Sequence, residues 1–252
     1  MKTLTMDING ECNLNCEFCY QGLDGNILNN SQIFDIMRKK MDFDVVELGG
    51  GEPFLHKELD MIIANLIKLN KKINISTNAT FIPKAILNLE KSLRNNVTMQ
   101  ISLHASNKDA YESIAGYDYF DNVLKNTGIL KQLYKSSFNA VIYNKNLNQV
   151  KDILSIAYGL GMPIRVSPVM PVGRGRNIEK LSEEQINLLK GALLLEKING
   201  KEIYSPLIER TNCPALNESY GISGAEPCSL KLGKKEYINQ KGETFGCEFI
   251  RR

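Results

Sequence analysis

Cys12, Cys16 and Cys19 form a C-x3-C-x2-C triplet near the start of a 252-residue chain. Three further cysteines, Cys213, Cys228 and Cys247, follow residue 212, and nothing between 20 and 212 carries a thiol. Three thiols this close pair badly as disulfides, because one is always left over, and a disulfide framework suits small secreted domains. Inert buried cysteine fits isolated residues, not a packed triplet. The pattern predicts a metal site in a reducing cytoplasm. Zinc prefers paired C-x2-C units or Cys/His sets adding to four ligands, and neither His56 nor His104 is near in sequence. Iron–sulfur cubanes are normally held by four thiolates, so a loop that supplies three leaves one iron open to an outside ligand. A cluster is the favoured reading, with zinc as the alternative.

The second chemical feature is Gly49-Gly50-Gly51-Glu52-Pro53. A strand that ends in glycines lets backbone approach a ligand closely, and proline then stops its extension. Taken alone, such a run is usually just a turn.

The elements around these residues alternate. Strands are predicted at Thr3–Asn9, 44–49, 73–77, 97–103, 138–143 and Ile164–Pro168. Between them fall helices: 31–41 with Asn30 or Ser31 as cap, one with Leu59, Ile62, Ile63 and Leu66 on one face, one opened by Pro83, then 107–115, 119–134 and 147–159. Six β-then-α units imply parallel strands joined by right-handed crossovers. Every strand is read as carrying a polar row at period two, as in Thr5, Asp7 and Asn9 or Thr98, Gln100 and Ser102. A sheet covered on both faces would read as continuous apolar runs. The fold class is therefore α/β, a partial (β/α)6 TIM-like barrel with a polar, wet interior. Ser182 and Gln185 fit a capping box for a helix over 183–195. Residues 200–252 hold half the cysteines and little periodicity, so a metal staple is reasonable there. The chain divides into a barrel, 1–178, and a linker helix with a cysteine-rich extension, 179–252.

Composition narrows the classes. Hydrophobic residues are 43% and charged ones 23%, which excludes disorder. Net charge is only +3, with 31 Lys and Arg scattered among 28 Asp and Glu, so nucleic-acid binding has no electrostatic support. No apolar run reaches about 18 residues and no signal peptide is apparent, so neither membrane nor export is expected.

The triplet at the end of strand one and the glycine run at the end of strand two together resemble the radical S-adenosylmethionine (SAM) superfamily. The resemblance implies that Cys12, Cys16 and Cys19 hold a 4Fe–4S cluster whose open iron binds SAM. It implies that Phe18 packs near the adenine, and that Gly49, Gly50, Gly51 and Glu52 receive the methionyl amino group. Ser102 matches a ribose-binding position, and Asn78 lies in a turn similar to the family's T-N-G, with Ala79 in place of Gly. The implied reaction is reductive cleavage of SAM to a 5′-deoxyadenosyl radical that takes hydrogen from a substrate, fed by a flavodoxin- or ferredoxin-type electron donor. Catalytic acid or base residues are not identifiable from the sequence.

Cys228, with Gly242 and Cys247, resembles the hairpin of the SPASM and Twitch auxiliary-cluster modules, and residues 168–176 resemble their linker after strand six. With Cys213 they imply one auxiliary 4Fe–4S cluster, with a zinc hairpin as the alternative. Three thiolates leave an open iron, as in the enzyme of molybdopterin precursor synthesis, or a fourth ligand other than cysteine. The spacing differs from that enzyme's, and its function is not assigned. Arg174 and Arg176 default to solvated loop residues. The expected activity is peptide modification by oxidation or cross-linking. Alternatives are a dehydrogenase of a small alcohol or sugar, a radical methyltransferase and, last, a non-catalytic iron–sulfur protein.

Overall fold

The computed structural model describes residues 1–21, 23–209, 211–212, 214–221, 226–228, 232–247 and 249. The chain begins β1 (Thr3–Asn9), α1 (Asn30–Lys39), β2 (Val45–Gly50), α2 (Leu59–Lys68) and β3 (Lys72–Thr77). It continues α3 (Lys84–Leu87), α4 (Lys91–Arg94), β4 (Val97–Ser102), α5 (Lys108–Ala115), α6 (Phe120–Leu133) and β5 (Lys135–Ile142). Then come α7 (Val150–Gly159), β6 (Ile164–Pro168), α8 (Glu183–Ile198), β7 (Ile203–Tyr204), β8 (Thr211–Asn212) and α9 (Pro214–Tyr220). β9 (Glu226–Pro227), β10 (Lys235–Ile238) and β11 (Thr244–Phe245) complete it.

Among the described residues, nine strands form one sheet in the order β11-β10-β1-β2-β3-β4-β5-β6-β7, and β8 pairs only with β9. Every pairing in the large sheet is parallel except that of β10 with β11. The sheet ends in two edges, so the α/β fold is an open, partial barrel. The expected hairpin near Cys247 is present. It extends the main sheet, with β10 running parallel to β1 from Thr3↔Lys235 to Met6↔Ile238.

The period-two pattern sets the two faces. Leu4, Met6 and Ile8 on β1 and Val97, Met99 and Ile101 on β4 are buried under the helices, each contributing about 1.5–3 kcal/mol by burial. α2 buries Leu59, Ile62, Ile63 and Leu66 and packs beside β3. The opposite rows line the concave side and largely pair with each other. Thr5 donates to Glu47 at 2.7 Å, and Thr98 donates to Asn74 at 3.1 Å.

Some boundaries move for identifiable reasons. The cap of α1 is Asn29, in a capping box with Gln32. Pro83 caps a single four-residue turn instead of opening a longer helix. β5 starts at Lys135, three residues early, because Lys-Ser-Ser lacks the apolar row that marks the other strands. No helix among the described residues is long and apolar enough to cross a membrane.

Candidate functional site

The triplet loop leaves the carboxyl end of β1 and is pressed onto the end of β2. The β1–β2 register slips between Asp7 and Asn9. Beyond it, the Gly51 N–H donates to the Asn9 carbonyl at 2.6 Å, and the Glu52 N–H donates to that of Glu11 at 2.8 Å. Gly50 lies at φ 117°, and a Cβ there would sit 2.3 Å from the Asn9 oxygen. On Gly51 it would sit 2.1 Å from the Glu11 oxygen. No side chain fits either gap. The glycines are needed first to bring the residues leading into Cys12 against the second strand.

Glu52 is fully buried. Its carboxylate accepts from the Thr77 hydroxyl at 2.6 Å and from the backbone N–H groups of Asn78 at 2.7 Å and Phe54 at 3.0 Å. Burial pushes its pKa up to about 7 against these three donors. Glu52 thus ties the end of β2 to the end of β3. Asn78, at that end, donates to the Asn13 side chain at 2.9 Å, and Asn13 donates to Thr80 at 2.8 Å, anchoring the loop between Cys12 and Cys16. Ala79 lies at φ 53°, the left-handed region that favours glycine. Its N–H meets the Thr77 hydroxyl at 3.0 Å, and Asn126 donates to its carbonyl at 2.8 Å. The turn keeps its shape without the glycine.

Cys12, Cys16 and Cys19 are free, half-buried thiols. Burial pushes Cys12 up to about 11 and Cys16 up to about 12; Cys12 also feels the charge of Glu52 and Cys19, and Cys16 that of Cys19 and Cys12. Arg174 opposes the rise at Cys16. Clustered thiols held protonated by burial ionise readily only against a bound cation. No three His, Cys, Asp or Glu side chains converge on a single-ion site among the described residues. Three thiols on one short loop are a donor set that suits an iron–sulfur cluster with one iron left open.

Phe18 is buried beside His104, with ring centroids 4.6 Å apart at 75°, and lies 5.7 Å from the Tyr143 ring. Burial lowers His104 to about 4, and its Nδ1 accepts the Val141 N–H at 3.0 Å, so it is a neutral packing residue. His56 is also structural: its ring bridges the Leu28 carbonyl at 2.9 Å and the Glu58 N–H at 3.1 Å. Tyr143 donates to Glu17. Ser102 ends β4, half-buried and facing the concave side.

The segment after β6 is a strap that sequence reasoning left in solvent. The Arg174 N–H donates to the Cys19 carbonyl at 2.9 Å, and its guanidinium donates to Asn15 inside the triplet loop. A Cβ on Gly173, at φ 58°, would lie 2.5 Å from the Tyr20 oxygen and 2.6 Å from that of Cys19. The G-R-G spacing was the available signal, since glycines that flank an arginine permit such contact.

In the extension, Cys228 and Cys247 are half-buried, and Cys213 lies outside the described residues. The Phe249 ring meets the Tyr20 ring at 5.4 Å, so the segment carrying Cys247 touches the residue after Cys19.

"Probable GTP 3′,8-cyclase" of Saccharolobus islandicus is 27% identical over 185 residues, covering 70% of this chain and 59% of that protein. The protein of the same name from Sulfurisphaera tokodaii is 27% identical over 214 residues, 81% of this chain and 67% of its own. The chain thus spans about three fifths of the length of the first of these relatives. Among solved structures, Streptococcus suis SuiB bound to precursor peptide SuiA superposes with TM-score 0.77 at 19% identity, over 97% of this chain and 59% of SuiB. anSMEcpe with bound AdoMet and Kp18Cys peptide gives TM-score 0.73 at 13% identity, over 99% of this chain and 75% of anSMEcpe. These likenesses show the fold. Residues 6–157, from β1 and its cysteine loop to the last turn of α7, match the Radical SAM superfamily, a family that uses a 4Fe–4S cluster with SAM, and the chain belongs to it.

Proposed function

We propose that Cys12, Cys16 and Cys19 hold three irons of a 4Fe–4S cluster and that Phe18, Gly49, Gly50, Gly51, Glu52, Asn78 and Ser102 form the SAM site. The observation that carries this is the junction of the two strand ends, where a Cβ on Gly51 would strike the Glu11 oxygen at 2.1 Å. It supports a binding surface made jointly by the triplet loop and the glycine run. Bound there, cluster and SAM would supply one-electron cleavage of a sulfonium and removal of a hydrogen atom from a substrate. The chain's residues position and shield. Glu52 and Asn78 fix the ends of β2 and β3, while Phe18 and His104 close the loop from behind. The strap through Arg174 covers the carbonyl of Cys19.

The substrate reading is a peptide, modified by oxidation or cross-linking. Its support is a fold that superposes on two proteins solved with peptides bound. A second reading, a purine nucleotide, is favoured by the 27% identity to relatives named as probable GTP cyclases. An auxiliary cluster on Cys228, Cys247 and Cys213 is part of the proposal, as are an electron donor of the flavodoxin or ferredoxin type and a cytoplasmic setting.

The test is anaerobic reconstitution followed by reductant and SAM. Wild-type protein is expected to yield 5′-deoxyadenosine and Cys16→Ala none. Equal iron content and equal SAM-induced spectral change in the two would overturn the assignment.

A further inference from the structure

Four neighbouring strands place one side chain each in a single row on the concave face. Ser102 on β4 is in register with Asn139 on β5, Asn139 with Arg165 on β6, and Arg165 with Tyr204 on β7. The alternate residues Ile101, Phe138, Ile164 and Ile203 are buried against the helices, so the row faces the open side of the barrel. Ser102 and Asn139 are half-exposed and Arg165 and Tyr204 exposed. Other polar side chains of this face are committed to each other, as Thr5 is to Glu47 and Thr98 to Asn74. None of the four makes a side-chain hydrogen bond or ion pair among the described residues.

Charge sharpens the contrast. Glu47, a carboxylate of this face, is already satisfied by the Thr5 hydroxyl at 2.7 Å and by Lys235 at 3.4 Å. Glu47 also feels the positive charge of Arg165, though less than that of Lys235. Arg165 therefore presents a guanidinium with no ion pair among the described residues, with five donors in a planar fork matched to an oxyanion. An amide and a hydroxyl flank it on one side and a phenol on the other. The row starts at Ser102, the residue proposed for the SAM site.

We propose that Arg165, flanked by Asn139 and Tyr204, is a substrate subsite that binds an oxyanion, a carboxylate or a phosphate. This rests on the reading of Ser102 and the concave face as the cofactor and substrate side. The subsite sets specificity: it selects substrates that carry a negative group and holds that group away from the reacting hydrogen.

The test uses the full reconstituted chain with SAM and three probes in fluorescence or calorimetric titrations: a tetraglutamate peptide, its tetraglutamine counterpart, and GTP. Wild type is expected to bind at least one anionic probe and not tetraglutamine. Arg165→Gln should weaken that binding about tenfold or more, Arg165→Lys should recover part of it, and iron content and SAM binding should be unchanged. Preference for tetraglutamate identifies a carboxylate and preference for GTP a phosphate; either supports the subsite. Equal affinity of Arg165→Gln and wild type overturns it, as does failure of wild type to bind either anion. Loss of SAM binding in Arg165→Gln also overturns it, by assigning Arg165 to the cofactor. A wild-type protein without iron or SAM binding would instead sink the cofactor reading itself.

Discussion

Arg174 holds the triplet loop at the Cys19 carbonyl, 2.9 Å from its own N–H, although 155 positions separate the two in sequence. The loop's shape therefore depends on the segment after β6 as well as on β1. Gly173→Ala forces a Cβ to 2.5 Å from the Tyr20 oxygen at a left-handed φ, a strain of about 1–2 kcal/mol from the backbone alone. Reconstituted Gly173→Ala is expected to hold clearly less iron than wild type. Arg174→Gln removes a positive charge beside Cys16 and should shift the cluster's midpoint potential to more negative values in an EPR-monitored redox titration.

Glu52 accepts three hydrogen bonds that glutamine cannot fully replace, because its amide NH2 would face at least one donor. Glu52→Gln should destabilise the metal-free protein by about 1–3 kcal/mol in denaturant titration. A variant with wild-type stability would show that the β2–β3 tie is dispensable.

His104 is held neutral, with its pKa lowered by burial from 6.5 to about 4. A depressed value in the folded state means that stability is intact above the unfolded-state pKa and is lost as pH falls through the folded one. Between about pH 6.5 and 4 this residue accounts for as much as about 3 kcal/mol. His104→Gln should flatten that part of the stability profile of the metal-free protein.

Glu47 behaves as an anchor for the C-terminal hairpin. Burial raises its pKa, but Lys235 and the Thr5 hydroxyl outweigh it, and the net direction is below the ordinary carboxylate range. Its contribution is present above the unfolded carboxylate pKa, about 4, and disappears as pH drops through the folded value. Amide exchange in β10 should accelerate in that acid window. In Glu47→Gln it should already be faster at neutral pH.

The barrel was legible because its strands obey a strict period of two. Thr3–Asn9 and Ile164–Pro168 are found as expected, and the Ser182–Gln185 capping box is formed. The location of the triplet and glycine run at adjacent strand ends was legible for the same reason. Contacts between segments distant in sequence were not. The type of residue at 174 allows a solvated arginine as readily as a clasp, and only folding brings it to Cys19. Glu52 reads as a ligand-facing carboxylate in sequence, whereas its partners Thr77 and Asn78 meet it only because β2 and β3 are neighbours. The cap of α1 shifted by one residue because Asn29, not Asn30, stands three positions before a glutamine.

The seat of β10 beside β1 has a kinetic consequence. The strand that launches the cysteine loop acquires its second neighbour only once residues 235–238 have been made. Pairing across so long a separation is entropically slow. Until β10 is made, β1 has one of its two strand neighbours in the sheet, and its full set of ladder hydrogen bonds comes late.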